Sequence, residues 1–369
     1  MQWGLNLVVY ASLISSACLA KHDKGNIYNN VYVTFPDDPC DNAKIAIPDF
    51  NARRRRISEV KCLEYVWRVR YEQGKDVRRT QCEKEDTDRT PILGGSDVSY
   101  GEYPHMGALG WKAKVGTWIF KCGSSLISER FVLTAAHCSC VPSTDNTVTE
   151  LQPKIVRLGC KNIMDVDKGE PAYDVNIRRF ISHHRYNPPR QYYDIALAEL
   201  EQEVSFRWHV HPACLWSQFA NPEEGTVTGW GVIETASLTS SPELQKADIR
   251  IIESDDCDEM LQLRRNQRKW WGIVEHQLCA GDFAGRIDTC RGDSGGPLQT
   301  LVPLRHSSPF IKWKLHQIVG VTSFGFGCAR PNTPSIYTRV ASFVTWVENI
   351  VWPSNRTIEN RMWFNTSLN

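Results

Sequence analysis

Short apolar runs separated by glycine, proline, asparagine and serine fill most of the chain after residue 92. The clearest runs are WIFKCGSSLI, RFVLTAA, KIVRLG, GTVTGWG and HQIVGVTSFG. Runs of this length between turn-forming residues are typical of the strands of a β-sandwich or β-barrel. We therefore predict an all-β domain over residues 92–352.

One helix is predicted at the end of this domain. Four apolar residues recur at the spacing of a single helix face: Phe343, Val347, Ile350 and Val351. Pro353 ends the pattern. The remaining residues, 353–369, form a polar C-terminal extension with two acceptor sequences for N-glycosylation, at Asn355 and Asn365.

The first ninety residues have a different pattern. Residues 1–20 contain an apolar run followed by small residues, which predicts a signal peptide removed after Ala20. A transmembrane anchor would need about 18–20 apolar residues, which this run lacks. Residues 21–91 are charged and irregular, and we expect a pro-segment that depends on disulfides for order. Its four arginines, Arg53 to Arg56, are either a furin-like cleavage sequence or an exposed basic loop.

Charge and cysteine content narrow the choice of partner and compartment. The 369 residues include 43 Lys+Arg and 42 Asp+Glu, a formal net charge of +1. A near-neutral protein has no global field that would hold nucleic acid or an anionic membrane, so neither is expected as a partner. The 13 cysteines predict an oxidising compartment, and together with the signal peptide they predict a secreted, extracellular protein.

Three short motifs carry candidate chemistry: TAAHC (134–138), DIAL (194–197) and GDSGGP (292–297). Each alone is compatible with a strand end or a tight turn. Together they supply a hydroxyl nucleophile, an imidazole base and a carboxylate, which are the groups that nucleophilic acyl transfer requires. The glycines around Ser294 would let backbone N–H groups converge on one developing oxyanion.

With ILGG (92–95) and TGWG (228–231), these motifs resemble the chymotrypsin/trypsin family of serine endopeptidases. The resemblance covers residues 92 to about 352 and implies two six-stranded antiparallel β-barrels with the active site between them. Residues 21–91 lie outside it. No cofactor and no metal ion are expected.

The resemblance also implies a role for each residue of the triad. Ser294 would attack the scissile carbonyl, His137 would act as general base and then general acid, and Asp194 would hold the imidazole tautomer. The backbone N–H groups of Gly292 and Ser294 would form the oxyanion hole.

A primary specificity pocket for Arg or Lys is implied in the same way. Asp288, six positions before Ser294, would lie at the base of the pocket, where an unpaired charge is costly. Ser323 and Gly325 resemble the strand that pairs with substrate backbone. Ser335 departs from the family, which usually has glycine there, and its side chain is expected to narrow the pocket.

Family members are made as zymogens. A cut before Ile92 would free an α-ammonium that pairs with Asp293, and the catalytic site would form only then. Here Pro91 precedes Ile92, and the nearest basic residue is Arg89. Two routes stay open. An activator cuts after Arg89 and a dipeptidyl peptidase removes Thr90 and Pro91, or one activator accepts the proline.

The cysteines predict a covalent link between the two parts. The resemblance implies the disulfides Cys122–Cys138, Cys257–Cys279 and Cys290–Cys328, and Cys140–Cys160 is a reasonable local pair. The pro-segment then keeps three cysteines and the catalytic part nine, so full oxidation requires a bond between them. On the catalytic side, Cys214 is the cysteine expected to form this bond. Of the three connectivities that remain, we favour Cys82–Cys214 with Cys40–Cys62.

The sequence therefore predicts a secreted serine endopeptidase made as a zymogen and acting by limited proteolysis, in a cascade or in venom. The expected partners are a protein substrate such as another zymogen, an upstream activating protease and a serpin-type inhibitor. The pro-segment resembles that of snake-like, clip-related arthropod zymogens, although a clip module usually has six cysteines. The alternative is a non-catalytic homologue that acts as a binding module.

One basic string has no assigned role. Residues 264–269 read RRNQRK and are followed by two tryptophans. We interpret this stretch as a solvated insertion, with an anionic or protein partner as the alternative.

Overall fold

The computed structural model describes residues 50–51, 55–82, 100–164, 172–234, 239–282, 292–301, 315–327 and 331–353. Several expectations lie outside these residues: the signal peptide 1–20, Cys40, Arg89 to Ile92, Asp288, Cys290, Cys328, Asn355 and Asn365. Within the part of the chain that is described, no helix combines the length and the apolar character needed to cross a bilayer.

The first barrel is closed and has six antiparallel strands in the order β1-β2-β3-β6-β5-β4. The strands are β1 (Met106–Lys112), β2 (Trp118–Leu126), β3 (Phe131–Thr134), β4 (Ile155–Leu158), β5 (Tyr173–Ser182) and β6 (Ala196–Leu200). Leu109, Leu133, Leu158 and Leu197 are fully buried and belong to one core, which the short apolar runs fill.

The second barrel is a six-stranded ring in the order β13-β8-β11-β12-β15-β14, and β13 pairs back with β14. Its strands are β8 (Glu224–Gly229), β11 (Gln245–Ile252), β12 (Gln277–Gly281), β13 (Pro297–Leu301), β14 (His316–Phe324) and β15 (Ser335–Arg339). A short strand β7 (Cys214–Leu215) adds parallel to β14, and β9 (Val232–Glu234) pairs with β10 (Thr239–Ser240). The expectation of two six-stranded antiparallel barrels is confirmed.

The C-terminal helix is also confirmed. It spans Val344–Val351 (α3) after a 3-10 turn at Val340–Phe343, and its buried residues join the core of the first barrel. A second short helix, α2 (Ser254–Met260), precedes the basic string.

Residues 57–82 differ from the prediction of an irregular pro-segment. They form a 26-residue helix, α1 (Ile57–Cys82). Val60, Leu63 and Trp67 are spaced to share one helix face, and all three are buried in a cluster with Leu315. This spacing is present in the sequence, but the many charged residues around it obscure the pattern.

The first turn of α1 is fixed to α3 by one carboxylate. Glu348 accepts hydrogen bonds from Arg56 Nε (3.1 Å) and Nη2 (2.7 Å) and from the Ser58 N–H (3.2 Å) and hydroxyl (2.7 Å). A negative charge at a helix N-terminus is favourable because it complements the helix dipole. Arg56 is therefore held in an ion pair, unlike a residue of a freely exposed basic loop.

The expected pro-segment is bonded to the barrels through Cys62 and Cys214. Cys214 is thus the partner of the pro-segment, as expected, but the favoured pairs Cys82–Cys214 and Cys40–Cys62 are wrong. Cys62 lies on the buried face of α1, in the same cluster as Cys214. Cys82 ends the helix, about 30 Å further along its axis.

Two of the expected family disulfides are present, Cys122–Cys138 and Cys257–Cys279. The expected bond between Cys140 and Cys160 is not formed. The Cys140 thiol is exposed and donates to the Val141 carbonyl, whereas Cys160 is buried beside Tyr103 and Trp230 in a separate apolar cluster.

Candidate active site

Two residues of the expected triad are in direct contact. His137 lies in a 3-10 turn (Ala136–Ser139) after β3, and Asp194 lies two residues before β6. His137 Nδ1 is 2.7 Å from Asp194 Oδ2, and the His137 backbone N–H donates to Oδ1 at 2.9 Å. The carboxylate therefore favours the tautomer with its proton on Nδ1, which leaves Nε2 as the basic nitrogen.

The second barrel holds Asp194 from the other side. Ser323 of β14 donates its hydroxyl to Asp194 Oδ2 at 2.5 Å, and Thr338 of β15 donates to the Asp194 carbonyl at 2.7 Å. The carboxylate thus bridges the two barrels and has its position fixed by both.

The His137–Asp194 contact shifts the pKa of each group. Burial raises the pKa of the Asp194 carboxyl, but the charge and hydrogen bonds of His137 and the Ser323 hydroxyl outweigh burial and hold this pKa below its usual value. Burial lowers the pKa of His137, while the charge of Asp194 and its hydrogen bond raise it by more, so the net shift is upward from 6.5. An imidazolium formed here is stabilised, as a general base requires.

Ser294 lies in a tight turn that only glycines permit. Gly292 and Gly295 have φ values of +101° and +78°, in the left-handed region that L side chains rarely adopt. A Cβ on Gly295 would lie 2.2 Å from Thr134 Oγ1. The Ser294 carbonyl accepts the Gly123 N–H at 2.8 Å, which fixes the turn to the first barrel.

This turn lies beside the segment that carries His137. The sulfur of Cys138, the residue after His137, is 3.7 Å from the Ser294 carbonyl oxygen. The structure thus brings His137, Asp194 and the Ser294 turn to one place between the barrels. The oxyanion role of the Gly292 and Ser294 N–H groups remains a prediction.

Asp293 occupies a recess formed by two glycines. The Gly231 N–H donates to Asp293 Oδ1 at 2.9 Å. A Cβ on Gly229 would lie 2.1 Å from a carboxylate oxygen, and a Cβ on Gly231 would lie 2.3 Å from one. The TGWG motif therefore makes room for the Asp293 carboxylate. Its pairing with the α-ammonium of Ile92 stays a prediction.

Ser335, which the resemblance places at the wall of the specificity pocket, lies next to Gly325. It is 1% exposed, and a Cβ on Gly325 would come within 2.7 Å of its hydroxyl oxygen. The hydroxyl therefore occupies space next to Gly325, on the side where narrowing is expected. Asp288, expected at the base of the pocket, lies outside the residues that the structure describes.

The backbone before Asp194 has an unusual conformation that the sequence does not reveal. Tyr193 has a φ of +56°, although it is not glycine. Its N–H donates to His276 Nε2 at 3.2 Å, and the two rings stack with centroids 4.0 Å apart. Burial, with the nearby Arg185 and His183, lowers the pKa of His276 to about 4, so Nε2 is an acceptor at neutral pH.

One group of residues near the site has the spacing of metal ligands. The ligand atoms of Cys122, His137 and Cys138 lie within 4.8 Å of one another. The two sulfurs are joined as a disulfide, so they lack the thiolate form that binds a metal.

Comparison with known proteins finds similarity to serine proteases, in agreement with the contact between His137 and Asp194 beside the Ser294 turn. The profile of the Trypsin family matches residues 92–347. Serine protease snk of Drosophila melanogaster is 36% identical over 315 residues, which are 83% of this chain and 67% of that protein. Serine protease Hayan of the same species is 40% identical over 273 residues (72% and 40%). CLIP domain-containing serine protease C9 of Anopheles gambiae is 33% identical over 279 residues (72% and 70%). The chain belongs to the chymotrypsin/trypsin family of serine proteases and is similar to its clip-type arthropod members.

Proposed function

We propose that this chain is a secreted serine endopeptidase, made as a zymogen, that cleaves proteins after Arg or Lys by limited proteolysis. The observation that carries the proposal is the contact between the half-buried His137 and the buried Asp194, beside the glycine turn of Ser294. This arrangement supplies a base, an orienting carboxylate and a nucleophile in one place.

The reaction follows from these positions. Ser294 Oγ attacks the scissile carbonyl while His137 Nε2 takes its proton, and Asp194 stabilises the imidazolium that forms. The N–H groups of Gly292 and Ser294 donate hydrogen bonds to the oxyanion of the tetrahedral intermediate. His137 then gives the proton to the leaving amine, and water hydrolyses the acyl-enzyme by the same steps.

Asp288 supports the preference for a basic residue at the cleaved position. A carboxylate at the base of a pocket binds a substrate cation because each charge compensates the other on desolvation. The proposed partners are accordingly a protein substrate such as another zymogen, an upstream activating protease and a serpin-type inhibitor.

Activation cuts the chain without releasing its N-terminal part. The cut before Ile92 lies between α1 and the first barrel, and the Cys62–Cys214 bond still joins the two products. With Cys62 used in this way, Cys40 and Cys82 are left as the remaining pair of the pro-segment. Activated protein therefore migrates as one band on a non-reducing gel and as two bands after reduction. Separation without reductant would contradict the tether.

Active-site labelling separates an endopeptidase from a non-catalytic homologue. After release of Ile92, we expect a fluorophosphonate probe to label the parent protein and not the Ser294→Ala variant. Fluorogenic peptides then measure specificity, and we expect cleavage after Arg or Lys. No label on the parent would favour a binding module, and a preference for Phe or Leu would refute the assigned specificity.

A further inference from the structure

A strongly basic surface lies next to the active site. Two loops, one before Asp194 and one after α2, together expose six cationic side chains: Arg185, Arg190, Arg264, Arg265, Arg268 and Lys269. We call this surface the cationic rim.

The two loops form one surface because they contact each other. The Gln191 N–H donates to the Lys269 carbonyl at 3.0 Å. Trp271 is 46% exposed and packs on Tyr192, with ring centroids 4.0 Å apart and the ring planes tilted by 38°. The Arg190 guanidinium lies 5.8 Å from the Trp271 ring centroid. Cations and an exposed aromatic ring are therefore held side by side.

The rim borders the side of the cleft that receives the residues preceding the scissile bond. Trp270 is 1% exposed and packs edge-on against Phe324, with ring centroids 6.0 Å apart. Phe324 lies between Ser323 and Gly325, on the strand that the family resemblance assigns to substrate backbone. The resemblance places Gly325 at the mouth of the pocket for the residue before the cut, so the preceding residues of a substrate would continue from there towards the rim.

The charge of the rim is largely uncompensated. Arg265 pairs with Asp258 of α2. Among the described residues, the other five cations form no ion pair, and the remaining acids of α2 (Asp255, Asp256 and Glu259) form none with the rim. Several like charges at the edge of a cleft create a potential that attracts an acidic segment.

The chain itself contains an acidic segment, whose charge is opposite to that of the cationic rim. Residues 83–89 read EKEDTDR and end at the basic residue nearest to the activation junction. With Arg89 in the specificity pocket, the four acids lie one, three, four and six positions before it. An extended chain spans about 3.3 Å per residue, so the outer three acids lie about 10–20 Å from Arg89. A rim beside the pocket is within that reach.

We propose that an activated copy of this protein binds residues 83–89 of a second copy on its cationic rim and cuts the second copy after Arg89. The proposal rests on the proposed endopeptidase function and names one substrate for it. Ser294 forms an ester with the Arg89 carbonyl as the Thr90 amine leaves with the proton from His137. Water then releases the Arg89 carboxylate.

Two forms of the full chain separate enzyme from substrate. The enzyme form has residues 88–91 replaced by Ile-Glu-Gly-Arg, so that factor Xa releases Ile92. The substrate form keeps its own junction and carries Ser294→Ala, so it cannot cut itself. We expect the enzyme form to cut the substrate form, with N-terminal sequencing of the new chain starting at Thr90.

Charge reversal on both partners tests the rim. We expect Arg264→Glu/Arg268→Glu in the enzyme form to lower kcat/KM for this cut at least 10-fold. Arg207→Glu/Arg250→Glu, which reverses two exposed arginines outside the rim, should leave it unchanged. Both enzymes should hydrolyse a short arginyl amide at the parent rate.

A complementary change in the substrate form supplies the decisive measurement. Glu85→Lys/Asp86→Lys should slow the cut by the parent enzyme and restore it for the Arg264→Glu/Arg268→Glu enzyme. Raised salt should weaken the parent reaction because it screens exposed charges. A rim variant that cuts the substrate form at the parent rate would overturn the proposal. Failure of every enzyme form on the short amide would instead overturn the proposed function and, with it, this inference.

Discussion

Replacing Glu348 by alanine tests how α1 is held on the protease part. The carboxylate accepts four hydrogen bonds from Arg56 and Ser58, at the point where α1 begins. It is 11% exposed, so water does not readily take its place. We expect the first turns of α1 to open more often in the variant, while the barrels stay intact.

The magnitude follows from the exposure of each partner. Ser58 is 3% exposed, so its hydroxyl and N–H lose their acceptor while still buried, which costs about 1–3 kcal/mol. Loss of a negative charge at the helix N-terminus adds about 0.3–1 kcal/mol. The Arg56 side chain is 38% exposed and regains water, so the ion pair itself adds at most about 1 kcal/mol. A total near 3 kcal/mol corresponds to an increase of about 100-fold in the equilibrium constant for opening of the first turns of α1.

Hydrogen exchange measured on peptides from residues 57–68 is the assay, because it reports local opening of α1. Glu348→Gln keeps an acceptor for Ser58 and should give an intermediate rate. Glu259→Ala, an exposed acid of α2, is the control and should exchange like the parent. Unchanged exchange in Glu348→Ala would refute the reasoning, as would an equal increase in β14, which would indicate global destabilisation.

Three further predictions test the site. The activity of the parent should rise with pH through the raised pKa of His137, because Nε2 must lose its proton to act as a base. Asp194→Asn removes the charge that raises this pKa. The variant should therefore have a lower kcat/KM, and the acid limb of its pH profile should lie at lower pH than that of the parent. His276→Phe keeps a ring on Tyr193 but removes the acceptor of its N–H, so kcat should fall about 3- to 10-fold at constant KM, and His276→Gln should restore it. Ser335→Gly should raise the ratio of kcat/KM for arginyl peptides to kcat/KM for lysyl peptides about 10-fold. An unchanged ratio would contradict the expected narrowing of the pocket by the Ser335 side chain.

Local patterns in the sequence predict an all-β domain and one C-terminal helix, and the family resemblance of the motifs implies the two barrels and the roles of the site residues. Strand runs and turn residues carry the β pattern within windows of five to ten residues. The GDSGGP motif needs glycine at Gly292 and Gly295 because the backbone there has positive φ. Such local requirements restrict the residue type at each position, so they can be recognised from the sequence alone.

Other features depend on contacts that no local pattern records. The cysteine count, together with the disulfides that the family resemblance implies, predicts a bond from Cys214 to the N-terminal part, but the choice of Cys62 depends on which face of α1 packs on β7. The hydrogen bond from Tyr193 to His276 joins residues 83 positions apart and depends on one backbone dihedral angle. Both follow from tertiary packing.

The Cys62–Cys214 bond also changes the kind of equilibrium that holds α1. Once the activation junction is cut, α1 belongs to a separate chain, and its docking would otherwise be a bimolecular association that dilution reverses. The bond makes rebinding intramolecular, at an effective concentration of about millimolar for a short tether. Docking of α1 in the cut protein is therefore independent of how dilute the protein becomes, and a helix that opens closes again on the same partner.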